Sequence, residues 1–260
     1  RFFKQTKKVL PTNQPDRQTE DMTSFEEINM GDYVYALADL RDGTIAVGGD
    51  NRFIPIFDVE SKQQVGTLEG HTDYVFSLKL LPNGHLLSGS RDRTVIEWHV
   101  SSRALVRRFQ GHNHFVKAIC VLRNGTHFVS GSWDRTLRLW SLTTGQCDRV
   151  FEGHRFWVFA VIELADGRIL SGSRDCTIKA WNVASGECEA TWRGHEGEVS
   201  CLIQIEDGRV LSSSYDRTIK VWDAATGTCL RTLTDHENFV LCLLQLSNGC
   251  IISGSSDGTL

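Results

Sequence analysis

The stretch GHRFWVFAVIELADGRILSGSRDCTIKAW (residues 153–181) decides the fold of this chain. It contains a Gly-His pair, an apolar run, an Asp-Gly turn and a second apolar run. The sequence Ser-Gly-Ser-Arg-Asp follows, with a tryptophan six residues after the aspartate. Similar stretches lie before and after it. Self-similarity at a fixed period is typical of repeat architectures. The chain is therefore predicted to be an array of one structural unit.

Three landmarks recur together along the chain. The histidines follow one another at steps of 41, 42, 41 and 41 residues, and they are His71, His112, His154, His195 and His236. The aspartates that keep the same period are Asp92, Asp134, Asp175, Asp216 and Asp257. The tryptophans, each six residues after its aspartate, are Trp98, Trp140, Trp181 and Trp222. One unit therefore spans about 41 residues.

The pattern of apolar runs and turn residues in each unit predicts four short strands and no helix. An apolar run such as 158–164 suits a strand that is buried on both faces. The Asp-Gly or Asn-Gly pair after it favours a tight hairpin. The turn around the repeat aspartate leads to a third strand that ends at the tryptophan, and a Thr-Gly or Ser-Gly turn opens the fourth. Four short strands in about 41 residues predict a blade of a β-propeller.

Composition and charge narrow the classes of function. The chain has 260 residues, of which 40% are hydrophobic and 23% are charged, and its net charge is −4. Such a chain lacks the basic surface of a non-specific nucleic-acid binder, so we expect no nucleic-acid partner. No apolar run is long enough to span a membrane, and no signal peptide is visible. We expect no membrane partner. The chain begins at Arg1 and ends within a motif, so we expect a segment of a longer protein.

The eight cysteines form no Cys-x-x-Cys pair. Several recur in register, namely Cys147, Cys188 and Cys229, and then Cys201 and Cys242. A cysteine at the same position of successive repeats is most simply a small core side chain. This pattern favours a reducing compartment over a disulfide framework, so the predicted location is the cytoplasm or the nucleus.

The Gly-His pair, the Ser-Gly-Ser-x-Asp sequence and the tryptophan at these offsets resemble the WD40 repeat, as in G-protein β subunits and F-box/WD substrate receptors. The resemblance covers roughly residues 29–260. It implies a propeller, most often of seven blades, with five four-stranded repeats and part of a sixth in this chain. The predicted repeats are 29–69, 70–110, 111–152, 153–193, 194–234 and the partial 235–260. Residues 1–28 match no repeat and are predicted to be a linker or a strand that closes the ring.

A histidine, a serine and an aspartate recur in every well-formed repeat, and nucleophilic catalysis uses these residue types. An active site is normally built once, whereas this set occurs with each tryptophan. The resemblance implies a structural hydrogen-bond chain from aspartate to histidine to serine to the indole N–H. Its members are His71, Ser88, Asp92, Trp98, His112, Ser130, Asp134, Trp140, His154, Ser171, Asp175, Trp181, His195, Ser212, Asp216 and Trp222. The first repeat has Met30, Val47, Asn51 and Phe57 at these positions, and the sixth has His236, Ser253 and Asp257.

The resemblance also implies three positions per repeat that face one end of the central channel. They are the third and fifth residues after the histidine and the residue before the turn aspartate. The aromatic and basic residues at these positions form the predicted partner-binding face: Tyr33, Tyr35, Tyr74, Phe76, Arg91, Phe115, Lys117, Trp133, Trp157, Phe159, Arg174, Tyr215 and Phe239. An alternative is that neighbouring loops partly bury these aromatic rings.

We therefore predict a non-enzymatic module that recruits a protein or peptide within a larger complex. Tryptophan, tyrosine and arginine dominate interface hot spots. Arg91, Arg174 and Lys117 suit an acidic or phosphorylated segment. A narrower prediction is the substrate receptor of a ubiquitin ligase. The alternatives are a general scaffold in RNA processing, trafficking or signalling, and, remotely, a propeller hydrolase. No motif predicts a cofactor, and the histidine spacing predicts no metal site.

Overall fold

The computed structural model describes residues 33–260, which form 22 β-strands and contain no helix. Residues 1–28 and Met30, for which the sequence predicted a linker and a departure from the motif, lie outside the described residues. The strands form six antiparallel sheets in chain order. Five sheets have four strands and the sixth has two, which confirms the predicted all-β fold with five full blades and a partial sixth.

The sheets are numbered I to VI along the chain. Sheet I contains β1 (Val34–Asp39), β2 (Thr44–Gly49), β3 (Phe53–Asp58) and β4 (Gln64–Glu69). Sheet II contains β5 (Val75–Leu80), β6 (His85–Ser90), β7 (Val95–His99) and β8 (Ala104–Phe109). Sheet III contains β9 (Val116–Val121), β10 (His127–Ser132), β11 (Leu137–Ser141) and β12 (Cys147–Phe151). Sheet IV contains β13 (Val158–Glu163), β14 (Ile169–Ser173), β15 (Ile178–Trp181) and β16 (Cys188–Trp192). Sheet V contains β17 (Val199–Gln204), β18 (Val210–Ser214), β19 (Ile219–Trp222) and β20 (Cys229–Leu233). Sheet VI contains β21 (Val240–Gln245) and β22 (Ile251–Ser255).

The hydrophobic core lies between neighbouring sheets. The first strand of each sheet packs against the first strand of the next, while the outer strands make few contacts across the gap, so the sheets are arranged as blades. Between sheets IV and V, for example, Leu170 and Ile178 pack with Val199 and Trp222 in one buried cluster. Apolar side chains on both faces of a blade are therefore removed from water, which is the main source of its stability.

The turns between first and second strands are fixed by their acidic or amide side chains. The side-chain oxygen of Asn83 accepts the backbone N–H of His85 at 3.0 Å, and Asp166 does the same for Arg168 at 3.1 Å. A short polar side chain that accepts a backbone N–H two residues later stabilises a turn. The predicted Asn-Gly and Asp-Gly turns thus lie where the sequence placed them, at one end of every blade.

Side chains at that same end also join one blade to the next. A glutamate or glutamine near the end of a first strand accepts a backbone N–H from the preceding blade. The pairs are Glu163 with Arg123 at 2.7 Å, Gln204 with Ala165 at 2.7 Å, and Gln245 with Glu206 at 3.3 Å. These contacts join sheets IV, V and VI each to the sheet before it, and sequence analysis did not identify them.

The two outer faces of the array expose apolar side chains. Leu37 on β1 is 63% exposed, whereas Leu78, at the same position of β5, is 4% exposed because sheet I covers it. On β21 of sheet VI, Leu244 is 57% exposed. Seven blades remain a prediction from the family resemblance.

The cysteine prediction was wrong in part. Cys188 and Cys229 lie on the fourth strands of sheets IV and V and are exposed, and Cys242 is exposed on β21. Both cysteines are the first residue of a fourth strand, the outer edge of the blade, where the side chain is exposed, whereas the last residue of such a strand, Trp192 in sheet IV, is buried. Cys147 and Cys201 are half-buried. All eight thiols are free.

Gly227 allows us to test how tightly the outer edges of two blades pack. It lies in the turn between β19 and β20 with φ of 71°, and a Cβ there would overlap the Trp192 indole of sheet IV. Gly208 has a similar φ of 87°, but a Cβ there would meet nothing within 4 Å. We expect Gly208→Ala to cost about 1 kcal/mol from backbone strain. Gly227→Ala adds about 1–3 kcal/mol of overpacking.

Urea unfolding of the two variants measures this difference. Equal losses of stability would show that Trp192 does not pack on the turn.

Candidate interaction face

The repeat histidine, serine, aspartate and tryptophan form a continuous hydrogen-bond chain in sheet IV. His154 Nδ1 lies 2.8 Å from Asp175 Oδ2, and His154 Nε2 lies 2.7 Å from Ser171 Oγ. The Trp181 indole N–H donates to the same Ser171 Oγ at 2.8 Å. Each member thus contacts the next, as the family resemblance implies.

The same chain recurs in sheets II, III and V with distances between 2.6 and 2.8 Å. Its members there are His71, Ser88, Asp92, Trp98, His112, Ser130, Asp134, Trp140, His195, Ser212, Asp216 and Trp222. In sheet VI, His236 keeps its bonds to Asp257 at 2.9 Å and Ser253 at 2.7 Å. In sheet I, Val47 occupies the serine position and is 3% exposed.

One protonation state satisfies every group of the chain. Burial lowers the pKa of His154, against the opposing effect of Asp175, so the ring is neutral near pH 7. A neutral ring with its proton on Nδ1 donates to Asp175 and accepts the Ser171 O–H at Nε2. The serine oxygen then accepts the Trp181 N–H. No buried donor of the chain is left without an acceptor.

The aspartate is the charged member of the chain. Burial of Asp175 would raise its pKa, but hydrogen bonds from His154, Thr177 and the Arg155 backbone hold the pKa well below its usual range. The Thr177 hydroxyl donates at 2.5 Å and the Arg155 N–H donates at 2.9 Å. Asp175 therefore joins the loop before the first strand to the turn between the second and third strands.

The serine and histidine side chains of these hydrogen-bond chains are buried, so a substrate cannot reach them. Ser88, Ser130, Ser171 and Ser212 are completely buried, and their histidines are 5–7% exposed. A serine nucleophile needs an accessible oxygen beside its base. These hydrogen-bond chains therefore stabilise the blades, and the candidate site lies elsewhere.

Two loops at the opposite end from the Asp-Gly turns bring the predicted face residues together. In sheet IV, the Arg174 N–H donates to the Trp157 carbonyl oxygen at 2.8 Å. The equivalent bond joins Trp133 to Phe115 at 2.9 Å in sheet III. It recurs in all six sheets, with the remaining pairs Asp50–Tyr33, Arg91–Tyr74, Tyr215–Glu198 and Ser256–Phe239. Each blade thus presents the residue before its aspartate beside the third residue after its histidine.

The aromatic side chains at these positions contact one another from blade to blade. The thirteen residues of the predicted partner-binding face are named the aromatic face below. The Trp133 and Trp157 rings stack in parallel with centroids 3.9 Å apart. Further pairs continue the series on both sides: Tyr35–Tyr74 at 6.5 Å, Tyr35–Phe76 at 5.1 Å, Phe76–Phe115 at 6.2 Å, Phe115–Trp133 at 4.9 Å, Trp133–Phe159 at 6.2 Å, Phe159–Tyr215 at 6.3 Å and Tyr215–Phe239 at 4.6 Å. Nine of the ten predicted aromatic side chains form one continuous series, which spans sheets I to VI.

The three cations of the aromatic face lie over these rings. The Arg174 guanidinium lies 4.2 Å from the centroid of Trp157. Arg91 lies between Tyr74 and Phe115, at 5.0 and 4.8 Å. The Lys117 ammonium lies 4.7 Å from the Phe76 centroid and 5.4 Å from that of Tyr35. Such cation–π contacts contribute about 0.5–2 kcal/mol each.

Two carboxylates of the chain already neutralise the arginines. Arg174 Nε lies 2.7 Å from Glu198 Oε1, and Arg91 Nε lies 3.6 Å from Asp73 Oδ2. Burial raises the pKa of the Glu198 carboxyl, and the Arg174 guanidinium opposes that rise. The aromatic face is thus less positive than its arginines and lysine alone suggest.

Exposure varies across the aromatic face. Tyr33 is 58% exposed, whereas the Trp133–Trp157 pair is half-buried, largely by its own neighbours. Asp50 Oδ1, Arg91 Nε and Trp133 Nε1 are buried without a hydrogen-bond partner in the described residues. The three residues occupy the same position, directly before the turn aspartate or its equivalent, in sheets I, II and III. Partial burial, the alternative raised from the sequence, therefore applies to the centre of the face, whereas Tyr33, Tyr35 and Phe239 at its two ends are more than 40% exposed.

Sequence analysis did not include His114 or Asp73 in this face. His114 packs on Phe115 at 4.2 Å and on Trp133 at 5.6 Å. Both residues stand directly before a face residue, at the second position after the repeat histidine. An aromatic or charged residue at that position is the signal that could have found them.

Two other kinds of site find no support in the part of the chain that the structure describes. Within residues 33–260, no group of three His, Cys, Asp or Glu side chains is placed to hold a metal ion. No helix long and apolar enough to cross a membrane is present in those residues.

Comparison with protein families agrees with the geometry. The family model described as "WD domain, G-beta repeat" matches residues 62–99, 103–141, 145–182, 186–223 and 227–260. These matches cover more than half of the chain, so the chain belongs to the WD40 repeat family. Each matched unit begins near the fourth strand of one sheet and continues through the first three strands of the next, or through both strands of sheet VI in the last match, so it joins two blades. Proteins of this family are generally non-enzymatic interaction propellers. A comparison with curated proteins found no match.

The buried aspartate offers a direct test of the hydrogen-bond chain. We expect Asp175→Ala to lower the free energy of unfolding by about 1–3 kcal/mol, because His154, Thr177 and the Arg155 N–H lose a buried acceptor. Urea unfolding followed by tryptophan fluorescence measures the change.

Asp148→Ala is the matched control. Its carboxylate also contacts a histidine, His127, at 3.1 Å, but the aspartate side chain is 41% exposed. An exposed pair contributes about 0–1 kcal/mol. If Asp175→Ala were no more destabilising than Asp148→Ala, the buried chain would not brace the blade.

Proposed function

We propose that this protein is a non-enzymatic interaction module that binds a protein partner by a peptide segment lying across the aromatic face. The observation that supports the proposal is the continuous series of rings from Tyr35 to Phe239. Large amphipathic rings supply contact area at low cost in conformational entropy, and tryptophan, tyrosine and arginine are the common hot-spot residues. The backbone bond in each blade, such as that from Arg174 to Trp157, holds these residues in place before a partner arrives.

The rigidity of the face matters for affinity. Nine rings already packed against one another lose little freedom when a ligand covers them. Pre-organised contact surfaces retain more of their interaction energy as binding affinity. An extended peptide crossing several blades would contact the rings in turn. The length of the series, across six sheets, therefore favours a segment of protein over a small molecule.

A narrower form of this proposal is the substrate receptor of a ubiquitin ligase, to which the resemblance to F-box/WD receptors gives some support. A general scaffold in a larger complex is the alternative. The sequence on either side of these residues would distinguish the two, because an F-box or RING favours the ligase and a coiled coil or helical domain favours the scaffold. Location in the cytoplasm or nucleus remains a prediction.

The double variant Trp133→Ala/Arg174→Ala tests the proposed function. It removes one half of the stacked indole pair and the guanidinium that lies over the other half. We expect it to lose at least one partner that the wild type retains in quantitative pull-downs, because hot-spot truncations typically cost more than 1 kcal/mol each.

A matched double variant controls for general effects. Leu230→Ala/Arg209→Ala removes an apolar side chain from β20 and an arginine from the Asp-Gly turn end, both exposed and away from the aromatic face. It should retain every partner. Retention of all partners by the folded Trp133→Ala/Arg174→Ala variant would contradict the proposed function.

A further inference from the structure

Lys117 occupies a position that no other blade gives to a cation. It is the second residue of β9 and lies at the fifth position after the repeat histidine. The residues at this position in the other sheets are Tyr35, Phe76, Phe159, Ser200 and Leu241. Since the lysine reaches the rings of Tyr35 in sheet I and Phe76 in sheet II, three blades meet at its ammonium group.

The environment of this ammonium group is apolar. Burial lowers the pKa of Lys117 to about 8, so the side chain still carries its charge near neutral pH. Among residues 33–260, the ammonium makes no hydrogen bond or ion pair, and its contacts are with the faces of the two rings. A lysine in such surroundings offers three donors and no acceptor. It therefore has unused capacity to bind an anion.

The buried charge of Lys117 also carries an energetic cost. Removing a charge from water is costly unless a counter-charge and hydrogen bonds replace the lost hydration. Cation–π contacts with Tyr35 and Phe76 offset part of this cost, at about 0.5–2 kcal/mol each. They leave the N–H donors without acceptors. A ligand oxygen placed against Lys117 would supply both the missing acceptor and the missing charge.

The other two cations of the aromatic face differ in this respect. Arg174 pairs with Glu198 at 2.7 Å, and Arg91 lies 3.6 Å from Asp73. Among residues 33–260, Lys117 alone of the three forms no ion pair with a carboxylate. Asp50, which occupies in sheet I the position that Arg91 has in sheet II, bonds the Tyr35 side chain instead. A single ammonium group suits a monoanion, whereas binding of a phosphate dianion is typically built from clustered or bidentate arginines.

We propose that Lys117 is the anchor for a single carboxylate of the peptide partner, while apolar side chains of that peptide cover the neighbouring rings. This assignment rests on the proposed function, since it names the chemistry that the aromatic face selects. The carboxylate belongs either to an aspartate or glutamate side chain or to the carboxyl terminus of the partner. Both sources present the same two oxygens to the ammonium group.

Selection from a random-sequence peptide library, followed by affinity measurements on the best peptide, tests the assignment. The peptide is then made with its acid replaced by the matching amide, with an amidated terminus, and with phosphoserine in place of the acid. Each form is titrated against wild type, Lys117→Met and the control Lys220→Met. Lys220 lies on β19 of sheet V, where its ammonium donates to Thr232 at 2.9 Å. A methionine keeps the length and apolar stem of lysine without the charge.

We expect the wild type to select acidic peptides. Replacing the carboxylate that contacts Lys117 by an amide should weaken binding at least tenfold. If the side-chain amide loses affinity, the carboxylate belongs to an aspartate or glutamate; if the amidated terminus loses affinity, it is the carboxyl terminus. Lys117→Met should bind the original peptide at least tenfold more weakly and should no longer distinguish the acid from its amide. Lys220→Met should behave like the wild type.

Three results would overturn the assignment. One is that Lys117→Met binds as tightly as the wild type. Another is that the selected peptides bind through no carboxylate. The third is that phosphoserine binds at least tenfold more tightly than the acid. The amide peptides test the same point on the unaltered protein, so the outcome does not depend on the folding of any variant. If no peptide is selected at all, or if Trp133→Ala leaves peptide binding unchanged, the proposed function itself fails.

Discussion

The buried aspartate–histidine bond is the interaction on which the site depends. Asp175 accepts hydrogen bonds from the His154 ring and the Arg155 backbone on one loop, and from Thr177 on another. One carboxylate therefore fixes the loop before the first strand and the turn between the second and third strands. These are the two segments that carry Trp157 and Arg174 of the aromatic face. The bond is buried and charge-assisted, and it is repeated in sheets II to VI, so the loops of successive blades hold a common geometry.

Residues that stabilise the blade and residues that lie on the aromatic face are only one to three positions apart in the sequence. The side chains of His154 and Asp175 point into the blade, where every donor finds an acceptor. Their neighbours Trp157 and Arg174 lie on the surface, and the bond between the Arg174 N–H and the Trp157 carbonyl ties them to the same frame. The repeating residues are those that the fold requires at each blade. The residues that vary from blade to blade, including Lys117, are those to which we assign ligand binding under the proposed function.

Much of the fold follows from the sequence because the repeat is regular. The Gly-His pairs, turn aspartates and tryptophans locate four strands per blade, and the resemblance supplies the hydrogen-bond chain. The period also gives the position of a residue within its blade, and the family resemblance says which positions face one end of the channel. Tyr74, Trp133 and Tyr215 were predicted for the face on that basis, and the structure brings them into one series of rings. The period does not say which side chains of different blades meet. Two contacts that join neighbouring blades could be identified only from the structure. They are the ion pair of Arg174 with Glu198 and the hydrogen bond from the Arg123 N–H to the Glu163 carboxylate. For the same reason, the exposed Cys188 and Cys229 were misplaced, since periodicity does not distinguish the outer edge of a blade from its core.

The repeat tryptophans are held inside the blades by buried hydrogen bonds, whereas the face tryptophans lie at the surface. Hydrogen exchange of the indole N–H groups, followed by NMR, tests this division most directly. The account predicts that the indole protons of Trp98, Trp140, Trp181 and Trp222 exchange only through large-scale unfolding, because each donates to a fully buried serine. The Trp157 indole proton, on the face, should exchange far faster. Exchange of the four repeat indoles at the rate of Trp157 would contradict the account.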